Sequence, residues 1–469
     1  DYERMKQYVA ENRWFPAGSS VEESDVNLPS AESIIRQILY GNTYYRKEFS
    51  KASNEYMLPD CFGFPASLPT ILAHAGIKGF STQKLGSDWQ PAPHVGGPNS
   101  PEQTPAGIPF NVGLWEGTDG ETVLAALNPL EYVGGIRYDL SKAPPLIPTG
   151  SATAQVFGSS SAMVDWVSRI DLDGRVSGVY ADYHYVGTGD IGGATDEESV
   201  KFLDALVTHG TMALPRPDEP SGAHAIEPPP EVSDADPARV GDGPVRVIAS
   251  TADQMFHDIK PYMTSKMPRY KGDLELINHS AGSLTSEAYH KRWNRENEIL
   301  ADSAEKASVA AAWMGGRPYP QQRLDDAWTL VMAGQFHDTA AGTATPRAYQ
   351  FAWNDDVIAL NQFADVLTSA TEAVASALNT ETKGIPMVVY NSLNIPREDI
   401  VEAAVRFPDG APKAVTVLDS DGKQVPAQIQ DGKVLFLAKT PSVGYAVYQV
   451  HPSASEPTTE LKVTQSSLE

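Results

Sequence analysis

Asp60 stands in "EYMLPDCFGFPASLPTIL", after a short apolar run and before a segment patterned as a helix from about Pro65. In parallel α/β architectures, a carboxylate at the carboxyl end of a strand points into the site. A helix N-terminus nearby favours its ionised form. Phe62-Gly63-Phe64 adds an aromatic, flexible turn, although a carboxylate that only caps that turn fits the same residues. In "AGQFHDTAAGT", His337 and Asp338 close an apolar helical run just before Gly342. A His beside an Asp can form a metal ligand with a supporting carboxylate, or be a satisfied core or surface pair. In "YVGTGDIGGAT", Asp190 lies in a glycine-rich loop after a strand pattern. Glycines there admit close approach of a ligand, and an ordinary Gly-Asp turn fits equally well.

The stretch "NHSAGSLTSEAYHKRWNRENE" gathers His279, Lys291, Arg292 and Arg295 on an otherwise acidic chain. Such a cluster can hold a substrate, but structural anchoring through salt bridges is the simpler role. Some chemistries are excluded. No phosphate-binding glycine loop, serine nucleophile elbow or compact paired-His metalloprotease motif is present.

The elements that must position these residues follow from the hydrophobic pattern. At 469 residues the chain has room for about three domains. With 41% hydrophobic and 20% charged residues, it has the composition of a folded globular protein. Up to about residue 210, helical stretches such as "SAESIIRQILYGNTYYRKEF" alternate with short apolar runs, predicting a largely parallel sheet with helices around it. Further strands are expected at "TVLAALN", "VSGVYADYHYVG" and "VRVIAST", with Gly- and Pro-rich loops over 86–111 and 212–244. Three helices follow, predicted at 286–313, at 322–338 and after the Thr345-Pro346 cap, and three antiparallel helices form a small bundle. From 386 onward, β-branched runs broken by Asp-Gly turns begin an all-β module.

The net charge of −24 opposes binding to nucleic acid, which needs clustered Lys and Arg. A single cysteine, Cys61, permits no intrachain disulfide and no multi-thiolate zinc site, so a metal would have to use mainly His and carboxylates. No apolar run approaches the length of a membrane helix, and "DYERMKQYVAENRWF" lacks the apolar core of a signal peptide. A soluble chain is expected. Its compartment is unknown, and homo-oligomerisation is compatible with everything so far. The first residues, helical and without Met, and the last, where another strand is due, lead us to expect a fragment of a longer protein.

Taken in order, "NRWFPAGSSVEESDVNLPSAESIIRQILYGNTYY", "LPDCFGFPASLPTILAHAGIKGFSTQKL", "LWEGTDGETVLAAL", "HSAGSLTSEAYHKRWNRENE" and "QFHDTAAGT" resemble the α-mannosidases of glycoside hydrolase family 38 over nearly the whole chain. The resemblance implies an α/β barrel-like catalytic domain (1–265), a three-helix bundle (266–382) and the start of an all-β domain of sandwich type (383–469). It also implies retaining, zinc-dependent hydrolysis of terminal α-linked mannose from a glycan. By the same resemblance Asp60 is the nucleophile and a zinc ligand, His337 is a second zinc ligand, and Phe62 lines the pocket. Lys84 lies near the nucleophile, Asp338 binds sugar hydroxyls, and Asp190 is the candidate general acid, with Asp182 and Asp253 next in line. The family's remaining zinc ligands come from a His-x-Asp strand expected upstream of residue 1. Asp60 and His337 alone are two short of the usual four, so this stretch by itself is expected to bind metal poorly. Two rival readings are a catalytically silent carbohydrate-binding protein and a metal-dependent carbohydrate deacetylase.

Overall fold

A computed structural model of the protein describes residues 1–83, 85, 108–127, 133–134, 166–183, 185, 187–188, 197–209, 247–275, 281–455 and 466. The chain divides into two compact units. The first holds Asp1–Arg292 and Met332–Ala352, and the second holds Trp293–Val331 and Trp353–Glu469. In chain order the elements are α1 (Tyr2–Ala10), α2 (Ala31–Phe49), β1 (Glu55–Met57), α3 (Leu68–His74), β2 (Gly79–Ser81), β3 (Val112–Glu116), β4 (Thr122–Ala126) and β5 (Val133–Gly134). There follow α4 (Trp166–Ser177), β6 (Gly187–Thr188), α5 (Glu197–His209), α6 (Gln254–Asp258), α7 (Pro261–Thr264), β7 (Arg269–Lys271) and a 3-10 turn over Ala281–Thr285. Four helices come next: α8 (Ala288–Trp313), α9 (Gln321–Gly334), α10 (His337–Ala341) and α11 (Pro346–Ala377). Among the described residues no helix is long and apolar enough to cross a membrane.

The first unit is built on a five-stranded sheet in the order β1-β2-β4-β3-β7, parallel except where β3 and β4 pair as a hairpin. Both faces of this sheet are covered, as expected where parallel strands are buried. Alternation along β3 and β4 sends Trp115, Val123 and Ala125 into one cluster with Tyr56, Phe64 and Phe80. The same alternation sends Val112, Leu114, Leu124 and Ala126 into a second cluster with Phe256, Ile259 and Met267. Phe80 sits between Phe64 and Trp115, with both ring-to-ring distances 5.0 Å. Each such fully buried aromatic contributes about 2–3 kcal/mol.

Segment 18–28 lies against α2. A Cβ at Gly41 would meet the backbone carbon of Ser20 at 2.4 Å, so only glycine allows this close approach. The helix is capped at its start by Ser30, whose side chain accepts from the Ser33 N–H.

Three expectations shift. "TVLAALN" is strand β4, but the first residues of "VSGVYADYHYVG" finish α4, and Val179 packs into the second cluster instead of pairing. Ser177 Oγ donates to the Val112 carbonyl, which fixes that helix end beside β3. Over 247–251, "VRVIAST" is not a strand: Ile248 is exposed, and Thr251 Oγ1 bonds Asp253 to start the turn into α6. The second predicted helix ends at Gly334, and His337 opens a separate short helix. Of the loop expected over 86–111, residues 86–107 lie outside the described residues and 108–111 are irregular as expected; the loop expected over 212–244 lies outside them as well.

In the second unit, Ala307 and Ala311 pack with Ala370 and Val374, small residues that let helix backbones approach closely. Trp328 packs on Phe363 and donates to Glu305 at 2.8 Å. Two antiparallel sheets follow: β11-β10-β14-β8 and β12-β13-β9, from β8 (Ile385–Asn391), β9 (Arg397–Ala403), β10 (Ala414–Leu418), β11 (Gln424–Val425), β12 (Ala427–Gln430), β13 (Lys433–Thr440) and β14 (Gly444–Ser453). They share a core that includes Val417, Phe436, Tyr448 and Val450. Asp431 and Gly432, with φ of 51° and 77°, form the two-residue turn between β12 and β13 that the Asp-Gly pair predicts.

Glu55, at the start of β1, is only 1% exposed. Its carboxylate accepts from Ser81 Oγ at 2.7 Å and from the Gly18 N–H at 3.1 Å, joining segment 18–28 to the sheet. Burial pushes its pKa up to about 7, the two hydrogen bonds opposing in part. The folded protein therefore keeps this proton at pH values where the unfolded chain has released it. Stability falls as pH rises from the ordinary carboxylate range to about 7, by an amount on the order of 3 kcal/mol. Glu55→Gln is expected to flatten this slope in denaturant titrations run between about pH 5 and pH 7.

Candidate active site

The β1 strand ends at Met57, but its parallel ladder continues one step further through the Leu58 N–H, which donates to the Ser81 carbonyl at 2.9 Å. Asp60 then sits half-buried in the turn beyond the carboxyl end of the strand, as predicted. That turn is pinned on two sides. Phe64 and Leu274 exchange backbone bonds of 2.8 and 2.9 Å on one side. On the other, Cys61 Sγ donates to the Ser24 carbonyl at 3.2 Å, and Asn27 Nδ2 donates to the Gly63 carbonyl at 2.9 Å. Gly63, at φ 104°, turns the chain in the left-handed region, so that Phe64 enters the sheet core while Phe62 packs with Ala341 and Leu284.

Phe62 meets His337 edge-on, with ring centroids 6.2 Å apart. Between α9 and α10 the chain leaves helical geometry: Phe336 forms a bridge with Ser24, and the Asp25 N–H donates to the Gln335 carbonyl at 2.9 Å. His337 is buried. The Glu23 carbonyl accepts from its backbone N–H at 3.1 Å and lies 3.0 Å from its Nδ1. A carbonyl can only accept, so Nδ1 carries the ring proton, and in the neutral imidazole Nε2 holds the lone pair. Nε2 faces Asp338 Oδ2 at 3.9 Å, and Glu23 Oε2 lies 4.0 Å from Nδ1.

This chemistry fits a metal ligand, because ligating histidines characteristically donate their second ring N–H to a carbonyl or carboxylate. Asp60 and Asp338 supply hard oxygen donors nearby in sequence to the two contacting rings. Among the described residues, however, no group of three or more His, Cys, Asp or Glu side chains is arranged to hold a metal ion.

The short helix α10 is held at its end as well as its start. Its last carbonyls are met by Tyr349 Oη, which donates to Asp338 and Thr339 at 3.0 and 3.1 Å. Lys291 Nζ donates to Ala341 at 3.2 Å and also to the Ser286 carbonyl. His290 donates from Nε2 to the Gly334 carbonyl at 2.8 Å. The anchoring reading of the basic stretch therefore holds at Lys291. Asp338 accepts from Thr343 Oγ1 through its carboxylate, and its own carbonyl accepts from the N–H groups of Gly342, Thr343 and Ala344.

Asp60, Phe62, His337 and Asp338 thus gather on adjacent turns of the first unit, whereas Asp190 and Lys84 lie outside the described residues. The reserve acid Asp253 is engaged elsewhere, accepting from the Asn54 N–H and facing His257 at 3.4 Å. Sequence reasoning missed segment 22–28. Its signals were the acids Glu22, Glu23 and Asp25 and the spacing Asp25-x-Asn27 ahead of the Ser30 cap. Glu22 is partly buried, which raises its carboxyl above the usual range, with a hydrogen bond from the Glu23 backbone opposing in part.

Known proteins resemble this chain in sequence and in fold. The family model for the glycosyl hydrolases family 38 N-terminal domain matches residues 1–202, and that for the alpha mannosidase middle domain matches 279–374. Alpha-mannosidase G of Dictyostelium discoideum is 27% identical over 379 residues, covering 81% of this chain and 27% of that protein. Alpha-mannosidase 2C1 of Mus musculus is 28% identical over 411 residues, covering 87% of this chain and 32% of that one. The chain therefore spans less than a third of the length of these relatives. The crystal structure of an alpha-mannosidase from Enterococcus faecalis V583 superposes with a TM-score of 0.65 at 14% identity, over 98% of this chain and 50% of that one, a likeness of fold. A second structure from Enterococcus faecalis, of a protein in glycosyl hydrolase family 38, gives 0.58 at 15% identity, over 98% and 48%. With both family models matched in chain order across more than half of its residues, the chain belongs to glycoside hydrolase family 38.

Proposed function

We propose that the full-length protein is a retaining α-mannosidase that removes terminal α-linked mannose from glycans or oligosaccharides, with a divalent metal, zinc, at its site. The observation that carries this reading is the meeting of the Asp60 turn and the His337 helix on segment 23–27, within a family 38 chain. In this reading the five-stranded sheet belongs to an α/β barrel-like catalytic domain over 1–265. Helices α8, α9 and α11 form a three-helix bundle over 266–382, and the C-terminal strands open a β-sandwich-type domain over 383–469.

The chemistry needs two carboxyl groups about 5 Å apart. Asp60 attacks the anomeric carbon as the bond to the leaving oxygen breaks, and Asp190 donates its proton to that oxygen. A glycosyl ester forms on Asp60. Asp190, now a carboxylate, takes a proton from water, whose oxygen attacks the anomeric carbon, releasing mannose with retained configuration and restoring Asp60. When bound, zinc supplies Lewis-acid binding of vicinal sugar hydroxyls, held in this chain by His337 Nε2 and Asp60 together with ligands from outside it. Asp338 accepts from sugar hydroxyls, Phe62 walls the pocket, and Lys84 places positive charge beside the nucleophile.

Three measurements test this. Asp60→Asn in the full-length protein is expected to lower kcat on an aryl α-mannoside by several powers of ten with folding intact; turnover within about tenfold of the parent under saturating zinc removes Asp60 as nucleophile. Asp190→Ala should harm substrates with poor leaving groups far more than activated aryl glycosides, which need little protonation. Equal losses on both place the acid elsewhere. Zinc should raise the melting temperature of the full-length protein, and His337→Ala should abolish most of that rise; an unchanged rise moves the metal away from His337.

A further inference from the structure

Asp25 is fully buried, yet nothing in an acidic surface loop calls for a carboxylate there. Its Oδ1 accepts the N–H groups of Asn27 and Leu28, both at 2.8 Å, which closes the chain into a tight turn and sets the Asn27 side chain. Asn27 in turn holds the Gly63 carbonyl, one residue beyond Phe62 in the Asp60 turn. The second carboxylate oxygen of Asp25, Oδ2, is buried without a hydrogen-bond partner. On its other side the Asp25 N–H donates to the Gln335 carbonyl at 2.9 Å, just ahead of the His337 helix, whose first N–H is held by the Glu23 carbonyl. Burial raises the Asp25 carboxyl, with the N–H groups of Leu28 and Asn27 opposing in part. Asp25 therefore stands between two arms. One runs through the Asn27 side chain to the Asp60 turn, and the other through the Asp25 N–H and the Gln335 carbonyl to the start of α10.

We propose that Asp25 is a positioning residue for the reaction, a buried clamp whose carboxylate keeps the Asp60 turn and the His337 helix at a fixed separation. The proposal rests on the functional reading above for its catalytic consequence, but not for its structural one. A carboxylate that serves only as a local turn cap would stabilise residues 25–28 and leave both arms untouched. A clamp couples them. Because near-attack geometry is sensitive at the scale of about 1 Å, loosening it should cost kcat rather than substrate affinity.

The test uses the full-length protein and the variants Asp25→Ala, Asp25→Asn and Asn27→Ala. Hydrogen exchange is followed in peptides spanning 58–66 and 336–344, alongside kinetics on an aryl α-mannoside. Asp25→Ala is expected to speed exchange in both peptides by about tenfold or more. It should lower kcat by about a hundredfold while KM stays within about threefold. Asp25→Asn keeps the oxygen acceptor that closes the turn, so exchange in both peptides should stay within about threefold of the parent. Asn27→Ala should loosen only 58–66, and it carries the test if Asp25→Ala does not fold. Unchanged exchange in 58–66 for Asn27→Ala, or in either arm for a folded Asp25→Ala, overturns the clamp. Loosened arms with kcat within about twofold of the parent overturn its part in catalysis. A parent protein that leaves α-mannosides intact removes the functional reading, and the exchange arms then decide the clamp alone.

Discussion

The Glu23 carbonyl oxygen receives both the backbone N–H and the ring Nδ1–H of His337, and much of the first unit is arranged to make that possible. A backbone acceptor cannot be titrated away, so it fixes the imidazole tautomer and leaves Nε2 as the basic nitrogen across the pH range in which the ring is neutral. For the carbonyl to reach, α9 must stop at Gly334 and the chain must run extended past Ser24 and Asp25 before α10 begins. The same short segment meets the Asp60 turn from its other side through Ser24 and Asn27. One stretch of backbone therefore sets the positions of both the Asp60 turn and the His337 ring.

That stretch is held by polar contacts more than by apolar burial. Gln37 and Gln335 bond each other at 3.3 Å, Gln335 bonds Ser33, and Gln37 also reaches the Met332 carbonyl, all within the buried face of α2. Glu55 takes the Gly18 N–H, and Asp25 takes two N–H groups of its own turn. Such networks are costly if any member is missing and directional when complete. A cluster of leucines could hold the segment as firmly, but would not specify its rotation as hydrogen bonds between defined atoms do.

The second unit is held differently. Alanines and a Trp-Phe contact join its helices, and two antiparallel sheets close over an alternating apolar core. Its cores are built on alanine, valine and aromatic side chains, and Asp431-Gly432 makes the β12–β13 turn with the left-handed angles that pair tolerates.

Local patterns in the sequence were enough to place α2, β4, α8 and α11, the Asp-Gly hairpin and the Asp60 turn, because helix periodicity, strand alternation and turn chemistry act over a few residues. The motifs around Asp60 and His337 pointed to the family, and the matched family models agree. What the sequence misjudged was decided by partners far along the chain. The run ending in Phe336-His337 reads as one helix until Ser24 and Asp25 compete for its backbone groups. The run through Val179 reads as a strand until its side chain finds the cluster of Phe256 and Met267. Segment 22–28 went unread because the burial of Asp25, and the use of the Glu23 main-chain carbonyl to orient His337, arise only when residues some 300 positions apart are brought together. Local sequence determined which elements form, and tertiary packing decided where the helix breaks, which face of each element is buried and which carboxylates leave water.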